Sequence, residues 1–599
     1  MMLIIRTLCL TFLITCTASN EGGDLHDLGD EQPNHDENCN EQKIDPHDKT
    51  KYTDQKHRTG GSCSADEDGT SLVASFEEWK FAEKQLLAES FPLDPEKDNF
   101  VRQVPNAVFS VVHPVPFETP VKLVAVSQEV LTDILDLDPN VTSGDFFLAF
   151  VSGNTFLQDS TPLAHRYGGH QFGSWSGQLG DGRAVTLGEY VNSEGERWEL
   201  QLKGSGKTPY SRHGDGRAVL RSSVREFLVS EAMYHLGIPT TRALSLVVSN
   251  DPVWRDQFYD GHPKQERGAV VLRLAPSWFR IGSLEILSTN GEIDLLRKLT
   301  DFIIKNYFPD IDMDDKDRYL AFLTAVITQT VDMIVSWMAI GFAHGVMNTD
   351  NFSILSLTID YGPFGFLDGY KPSFIPNTSD DEGRYSYEKQ PDIAYYNLDK
   401  LREALGPLLD EEQQKKAKTI LSGYTEKYKV EFMDAFRDKL GLYIEEPEDE
   451  YMVAVLLQMM QETEADFTMT FRQLGDLPLM GSPDPPIIDD SLWALKQLNT
   501  HRMFPHWLKL YRQRLQKNGD DETDEGRQQR TKGVNPKYIL RNWMAQQAIE
   551  KAEKDDFSQV QSLLQILSRP FDDQPDADKA GYASEIPEWA KDVRVSCSS

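Results

Sequence analysis

The segment from residue 318 to 343 constrains the fold more than any other part of the chain. It reads R-Y-L-A-F-L-T-A-V-I-T-Q-T-V-D-M-I-V-S-W-M-A-I-G-F-A and has the composition of one long apolar helix. It is long enough to cross a membrane, but Gln329 and Asp332 interrupt it. We therefore predict a buried core helix and expect no stable membrane insertion. A chain of 599 residues with 39% hydrophobic content can build the large core that such a helix needs.

The residues that follow this helix resemble the catalytic loop of protein kinases, H-R-D-x-x-x-x-N. In H-G-V-M-N-T-D-N, His344 and Asn351 fit the pattern, whereas Val346 replaces the catalytic aspartate. Asp360 follows in D-Y-G, where kinases have D-F-G. Asn351 and Asp360 together offer the two oxygen ligands that hold Mg²⁺ against phosphates, and Asp350 adds a carboxylate able to accept a hydroxyl proton. A turn or cap role is the alternative for each acid taken singly.

A glycine-rich segment and a lysine–glutamate pair precede this loop. Residues 167–188, Y-G-G-H-Q-F-G-S-W-S-G-Q-L-G-D-G-R-A-V-T-L-G, allow the backbone to approach a ligand closely, although turns between strands are an equal explanation. Lys203 ends the strand-like run R-W-E-L-Q-L-K. Glu226 lies in the first turns of an expected helix for which Ser222 or Ser223 is a plausible N-cap. In kinases such a glutamate holds the lysine on nucleotide phosphates; a surface ion pair is the alternative.

Two arginines extend the set of candidate phosphate ligands. Arg273 lies in the apolar, strand-like run G-A-V-V-L-R-L-A, and Arg280 follows in P-S-W-F-R-I-G. A buried cation needs an anionic partner. The planar guanidinium group suits phosphate, and a structural carboxylate is the alternative partner. The ordered series of glycine loop, lysine, glutamate, arginines and metal-ligand pair makes a chance arrangement improbable.

The N-terminal region carries targeting and linker signals. Residues 1–19 contain a short apolar core and a small-residue sequence, C-T-A, that is typical of a cleavage site, which favours a secretory signal. Mitochondrial import and an uncleaved N-terminus are the alternatives, and Arg6 alone gives thin support for a transit peptide. Residues 20–75 are acidic and nearly free of aromatic side chains, and this composition predicts a disordered linker.

Charge and cysteine content exclude several classes of function. The formal net charge of -34 argues against nucleic acid as a partner, because binding to phosphate backbones needs an excess of Lys and Arg. Of the five cysteines, none lies between residues 64 and 596, so we expect neither a disulfide framework nor a CxxC metal site there. The thirteen histidines show no HExxH spacing.

These motifs, with L-G-I-P-T-T-R-A-L and F-I-P-N-T-S-D-D-E-G-R-Y-S-Y, resemble the selenoprotein O (YdiU) family of protein adenylyltransferase pseudokinases. The resemblance runs from about residue 76 to the C-terminus and is strongest from 165 to 400. It implies an α+β, protein-kinase-like bilobal fold with a β-rich N-lobe, a helical C-lobe and additional C-terminal helices. It also implies that ATP binds in a flipped orientation and that AMP is transferred to Ser, Thr or Tyr hydroxyls of proteins, with Mg²⁺ or Mn²⁺ as cofactor.

The same resemblance assigns roles to individual residues. Asp350 is the expected proton acceptor, Asn351 and Asp360 are the expected metal ligands, and Glu226 is expected to orient Lys203. Asp360 also belongs to the expected nucleotide site. The matching nucleotide-contacting positions are Gly180, Gly182, Arg183, Lys203, Asp215, Gly216, Arg273 and Arg280. The family often ends with a selenocysteine preceded by cysteine, but this chain ends in V-R-V-S-C-S-S, so Cys597 has no adjacent thiol.

The sequence also predicts how the chain is divided into domains and leaves two further functions as hypotheses. We predict an N-terminal extension and N-lobe over residues 76–250, with helical spacing at 76–87. A C-lobe over 251–500 and a helical extension and tail over 501–599 follow. A conventional protein kinase is a second hypothesis, against which Val346 counts. A non-catalytic nucleotide-binding scaffold is a third. UTP with Mn²⁺ is an alternative to ATP as the nucleotide donor.

Overall fold

Residues 72–480, 486–519 and 522–596 are described in the computed structural model of the protein. The signal-like segment 1–19, nearly all of the acidic linker predicted for 20–75, and Cys597 lie outside the described residues. The predictions made for these segments therefore stay predictions.

The largest sheet of the described residues is antiparallel, and its strands all lie before residue 276. Its strand order is β1-β3-β6-β7-β10-β9-β2, with β8 paired to β10, and two short hairpins, β4–β5 and β11–β12, lie outside it. The strands are Phe109–Val111 (β1), Val121–Val126 (β2), Leu163–His165 (β3), His170–Gln171 (β4), Ser174–Trp175 (β5), Ala184–Val191 (β6), Arg197–Lys203 (β7), Ala218–Val219 (β8), Arg242–Arg255 (β9), Lys264–Ala275 (β10), Phe342–Ala343 (β11) and Gly365–Phe366 (β12).

Helices dominate the chain after the sheet. The α-helices are Leu86–Ser90 (α1), Asp145–Val151 (α2), Leu220–His235 (α3), Ile281–Thr289 (α4), Ile293–Tyr307 (α5), Arg318–Ile340 (α6), Gln390–Leu405 (α7), Glu411–Ser422 (α8), Tyr424–Lys439 (α9), Asp449–Thr463 (α10), Phe467–Asp476 (α11), Trp493–Leu498 (α12), Phe504–Leu515 (α13), Asp524–Val534 (α14), Asn542–Ala552 (α15), Ser558–Leu567 (α16) and Pro575–Lys579 (α17). A π-helical turn, Val130–Ile134, and short 3₁₀ segments, including Thr349–Asn351, complete the description.

The predicted core helix is α6, Arg318–Ile340. It is apolar and long enough to span a membrane by composition, and 61% of its most apolar window is buried inside the protein, where it packs on α7, α8 and α9. It ends at Gly341, whose φ of 73° gives the left-handed conformation common after a helix C-terminus. The chain then turns directly into β11 and the loop that begins at His344. The long helix thus holds one end of that loop in the protein interior.

The helix that carries Glu226 begins earlier than predicted. α3 starts at Leu220, and its N-cap residue is Val219 rather than Ser222 or Ser223. Ser222 lies inside the first turn, where its hydroxyl donates to the Val219 carbonyl at 3.1 Å. Strand β8 leads straight into the helix, and Leu220 is fully buried. Burial of the first turn therefore outweighs the capping preference of serine.

The helix predicted for residues 76–87 is also wrong in its extent, because α1 covers only Leu86–Ser90. Phe76 and Trp79 instead enter an aromatic cluster, with the Trp79 ring 4.7 Å from that of Tyr190 and the Phe76 ring 5.0 Å from that of Phe150. The Trp79 indole also donates to the Leu135 carbonyl at 2.9 Å. The spacing of Phe76 and Trp79 would suit a helix, but the two residues lie on irregular backbone that packs on the sheet.

The described chain is a mixed α and β structure with an antiparallel sheet followed by many helices, which agrees with the α+β class. The residue boundaries at 250 and 500 stay predictions. Strand β9 runs through residue 250, and residues 71–599 form one compact unit.

Candidate functional site

The carboxylate of Asp360 is the centre of a cluster of buried cations. Arg273 Nη1 lies 2.7 Å and Lys203 Nζ 3.6 Å from its Oδ1, and Arg280 Nη1 donates to its Oδ2. Burial raises the pKa of Asp360, but the charges of Arg280, Arg273 and Lys203 outweigh it and hold the pKa well below its usual range. The backbone of Asp360 has a φ of 54°. A left-handed non-glycine residue at such a place is strained, which is typical of functional sites.

Four separate elements deliver the residues around this carboxylate. Lys203 ends β7, Arg273 lies on the neighbouring strand β10, Glu226 lies on α3, and Arg280 is the N-cap residue of α4. Glu226 accepts from Lys203 at 2.7 Å and from Arg273 at 2.9 Å. The structure thus brings the predicted lysine, glutamate, arginines and Asp360 into direct contact. In the ligand-free protein these cations are paired with carboxylates, and the phosphates of a bound ligand would compete for them.

Two residues that the sequence interpretation missed fix the arginines. The Gln201 side-chain oxygen accepts from Arg273 Nε at 3.1 Å and Nη2 at 2.6 Å. Asp181 is buried, accepts from the His165 amide at 3.0 Å and lies 3.9 Å from Arg280 Nη2. Burial raises the pKa of Asp181 to about 6 although Arg280 opposes the shift. The sequence feature that could have identified Asp181 is its position between Gly180 and Gly182 in the glycine-rich segment.

The two glycines of the G-D-G-R sequence are needed for close packing. At Gly180, where φ is 128°, an added Cβ would lie 2.5 Å from the ring of Tyr210. At Gly182 it would lie 2.8 Å from the Tyr210 carbonyl oxygen. Arg183 follows, and its carbonyl accepts from the amide of Gly204, the residue after Lys203, at 2.7 Å. Burial lowers the pKa of Arg183, while Glu226 and Asp360 raise it, so this arginine belongs to the same electrostatic cluster.

Asp215 and Gly216 lie on the loop between β7 and β8. Arg255 donates to both oxygens of Asp215 at 2.8 Å, and these contacts lower the pKa of Asp215 against the effect of partial burial. The Gly216 carbonyl accepts from the Gly206 amide at 2.9 Å. The structure therefore places Asp215 on Arg255 rather than on the cations around Asp360, and a nucleotide-contacting role for Asp215 and Gly216 stays a prediction.

Val346 contributes only its backbone to the loop. Its carbonyl accepts from Asn351 Nδ2 at 3.1 Å, and its amide donates to His344 Nδ1 at 3.4 Å. Because the nitrogen of the Asn351 amide points at Val346, its oxygen lies on the opposite side of the group. The His344 Nε2 atom donates to the Ile359 carbonyl at 2.9 Å, which ties this loop to Asp360.

Asp350 is buried beside the cation cluster with one oxygen unused. Its Oδ2 accepts from the Gln171 side chain at 3.2 Å, and its main-chain carbonyl accepts from Arg280 Nη1 at 2.6 Å. Its Oδ1 has no hydrogen-bond partner among the described residues. Burial raises the pKa of Asp350 to about 7, and Gln171 and Arg280 reduce the shift. A buried carboxylate with this pKa and a free oxygen is suited to accept a proton near neutral pH.

The β4–β5 hairpin lies directly over this loop. The His170 amide donates to Thr349 Oγ1 at 2.7 Å, and the Phe172 amide donates to Asn348 Oδ1 at 3.2 Å. An added Cβ on Gly169 would lie 2.5 Å from Asp350 Oδ1. Gly169 and Gln171 are therefore further site residues. Both lie in the glycine-rich segment 167–188. The sequence predicted close backbone approach to a ligand for this segment, but not its contact with Asp350.

The oxygen atoms near Asp360 fit a divalent cation that is shared with a ligand. Asn351 and Asp360 supply oxygen donors of the kind that hard cations prefer, and Asp350 Oδ1 is a buried, unpaired oxygen next to them. The described residues contain no group of three or more His, Cys, Asp or Glu side chains arranged for a metal. A cation would therefore complete its coordination with oxygens of a bound phosphate and water.

Comparisons with known proteins identify the family to which the chain belongs. The profile of the family described as "Protein adenylyltransferase SelO" matches residues 98–568. A "Protein nucleotidyltransferase YdiU" of Azoarcus sp. (strain BH72) is 47% identical over 514 residues, which is 86% of this chain and 97% of the relative. The proteins of that name from Xanthomonas axonopodis pv. citri (strain 306) and Flavobacterium johnsoniae are 46% and 42% identical; the matches cover 86% and 85% of this chain and 97% and 96% of the relatives. The matched residues include the whole site from Gly169 to Asp360.

Proposed function

The chain belongs to the protein adenylyltransferase SelO family and is a protein nucleotidyltransferase, and from this premise we propose that it transfers AMP from ATP to Ser, Thr or Tyr hydroxyls of other proteins. The acceptor oxygen forms a bond to the α-phosphorus, and the bond from that phosphorus to the bridging oxygen of the β-phosphate breaks. Pyrophosphate leaves with the bonding electrons. Asp350 takes the hydroxyl proton.

The cluster of Lys203, Arg273 and Arg280 on Asp360, with the carboxylate of Asp350 next to it, carries this proposal. Phosphoryl and nucleotidyl transfer need positioned positive charge where the transition state spreads negative charge over phosphate oxygens. Arg273 is held by Gln201 and Glu226 and therefore requires little rearrangement at the moment of reaction. In the ligand-free protein the Asp360 carboxylate pairs with these cations. A bound phosphate would form ion pairs with some of them.

We infer that ATP binds in the flipped orientation, with the reacting phosphorus next to Asp350 rather than next to residue 346. A kinase needs an acid at the position of Val346, which here offers only backbone atoms. The acid stands instead at Asp350, beside the candidate metal ligand Asn351. The kinase-like bilobal arrangement belongs to the same proposal. It is supported by the strand lysine, Lys203, paired with a helix glutamate, Glu226.

Asn351 and Asp360 would hold a divalent cation, for which we propose Mg²⁺ with Mn²⁺ as the alternative. When bound, such a cation neutralises charge on the phosphates and on the leaving pyrophosphate. The chain's own residues bind the remaining phosphate oxygens through Lys203 and the arginines. Burial of Asp350 keeps bulk water from its carboxylate and leaves Oδ1 as the proton-accepting atom.

A paired labelling experiment tests this function. The full chain is incubated with a mixed protein substrate, Mg²⁺ and ATP that is labelled at either the α- or the γ-phosphate, and protein-bound label is counted. We expect label from the α position alone. Label from the γ position alone would instead identify a kinase that works without the usual loop aspartate. Nucleotide binding with no label from either position would favour a scaffold.

Gly169→Ala is expected to lower AMP transfer by about tenfold or more, because the new methyl group must displace the Asp350 carboxylate or the hairpin. Transfer of α-label and the melting temperature are measured together. Gly406→Ala is the matched control, since its φ is -48° and no atom lies within 4 Å of the added methyl group. Equal activity of the two variants would contradict the assigned packing of Gly169 on Asp350.

A further inference from the structure

Arg225 is a buried arginine that the proposed reaction does not use. It precedes Glu226 on α3, is 6% exposed, and forms no ion pair with a carboxylate in the described part of the chain. Its Nε is buried without a hydrogen-bond partner. Burying a cation in this way costs stability. Such an arrangement needs an explanation beyond packing.

The guanidinium group of Arg225 joins three elements of the molecule. Its Nη2 donates to the Phe364 carbonyl at 2.6 Å, and its Nη1 donates to the Asn542 side-chain oxygen at 3.0 Å. The guanidinium group also lies 4.2 Å from the centre of the Phe364 ring, which is fully buried. Phe364 is in the D-Y-G-P-F segment that begins at Asp360, and Asn542 is the first residue of α15. One side chain thus links the glutamate helix, the Asp360 segment and a C-terminal helix.

Helices α15 and α16 make further contacts with the elements that Arg225 joins. Both pack on α3, and α16 also contacts β2. The Gln561 side chain donates to the Val124 carbonyl at 3.0 Å. Arg541, the N-cap residue of α15, lies 2.8 Å from Asp368 in the chain that follows the Asp360 segment. The two helices therefore contact the sheet and α3, and the N-cap residue of α15 pairs with the chain that follows the Asp360 segment.

We propose that α15 and α16 are a built-in brace of the catalytic site, and that Arg225 and Asn542 are positioning residues for Glu226 and Asp360. This inference rests on the proposed AMP transfer. In this proposal the chain's own C-terminal helices hold α3 in place. Glu226 therefore keeps its ion pairs with Lys203 and Arg273 without a partner protein. The cost of burying Arg225 is then offset by fixing two segments that must act together.

The test compares kcat, the KM for ATP, melting temperature and amide hydrogen exchange across variants of the full chain. Asn542→Leu is expected to lower kcat by about fivefold and Arg225→Met by about tenfold or more, since a hydrogen bond to a charged group is lost in each. The double variant is expected to match Arg225→Met, because the residues act through one contact. Asn542→Asp, which retains an acceptor for Arg225, is expected to retain wild-type kcat. Faster exchange in 220–235 and 360–364 should accompany each loss.

Arg472→Met is the matched control. Arg472 is also buried and donates to backbone carbonyls, at Lys532, Asn535 and Phe571, away from α3. We expect it to lower the melting temperature with kcat unchanged. Wild-type kcat in Arg225→Met, or single effects that multiply in the double variant, would overturn the brace; if Arg225→Met does not fold, the two Asn542 variants decide. A wild-type protein without α-label would reject AMP transfer instead, and the exchange data would still report on the brace.

Discussion

Asp360→Asn is expected to lower AMP transfer by about a thousandfold or more while ATP still binds. The substitution removes the negative charge of a proposed metal ligand and keeps the size of the side chain. It also leaves Lys203, Arg273 and Arg280 facing only Glu226 and Asp181. The loss should therefore appear in kcat, because positive charge remains for ground-state phosphate binding.

The melting temperature of Asp360→Asn distinguishes the loss of a metal ligand from simple misfolding. In the ligand-free variant the three cations repel one another, so the melting temperature should fall, and pyrophosphate without metal should restore it more than it does for the wild type. Calorimetric titration with pyrophosphate in EDTA, together with melting curves, measures both effects. Asp449→Asn provides the control, since it removes a buried carboxylate paired with Arg514 in the C-terminal helices. Wild-type turnover in Asp360→Asn would remove Asp360 from the reaction.

The sequence predicted the residues of the site better than their contacts. Lys203, Glu226 and Asp360 were identifiable because their order and spacing resemble those of kinase motifs, and Arg273 because it carries a charge in an apolar, strand-like run. Their pairing follows from the antiparallel register, in which Arg273 lies opposite Gln201 and Val271 opposite Lys203. That register is set by contacts between strands far apart in the chain. For this reason Gln201 as the support of Arg273 could not be predicted from local pattern.

Local signals failed where tertiary packing outweighed them. Ser222 has the chemistry of a helix cap, but the burial of Leu220 places the N-cap at Val219 instead. Phe76 and Trp79 have helical spacing, yet their rings pack with Tyr190 and Phe150 from irregular backbone. Gly169 and Gln171 were visible as part of a glycine-rich segment, whereas their contact with Asp350 depends on how the β4–β5 hairpin folds over a distant loop.

Asp350→Asn is expected to lower AMP transfer by about a hundredfold or more and to stabilise the ligand-free protein at neutral pH. Transfer falls because an amide oxygen cannot take up the hydroxyl proton. Stability rises because the wild-type site holds a carboxylate in a buried position that favours its neutral form, with Oδ1 unpaired. A site residue that stabilises the fold when neutralised is the pattern expected where function opposes stability.

The stabilisation by Asp350→Asn is expected to depend on pH, and this dependence tests the raised pKa of Asp350 directly. The pKa of Asp350 is about 7 in the folded protein, against an ordinary value of 3.8. The folded state therefore holds a proton that the unfolded state has released, and wild-type stability is lost as pH rises from about 4 through 7 and then levels. The free energy of unfolding of Asp350→Asn minus that of the wild type, measured by urea in EDTA, should increase by about 4 kcal/mol over that range. Any fixed packing cost of the amide shifts the whole curve and not its slope. A flat difference from pH 4 to 8 would mean that Asp350 is ionised throughout, and the proton-accepting role would then lose its basis in burial.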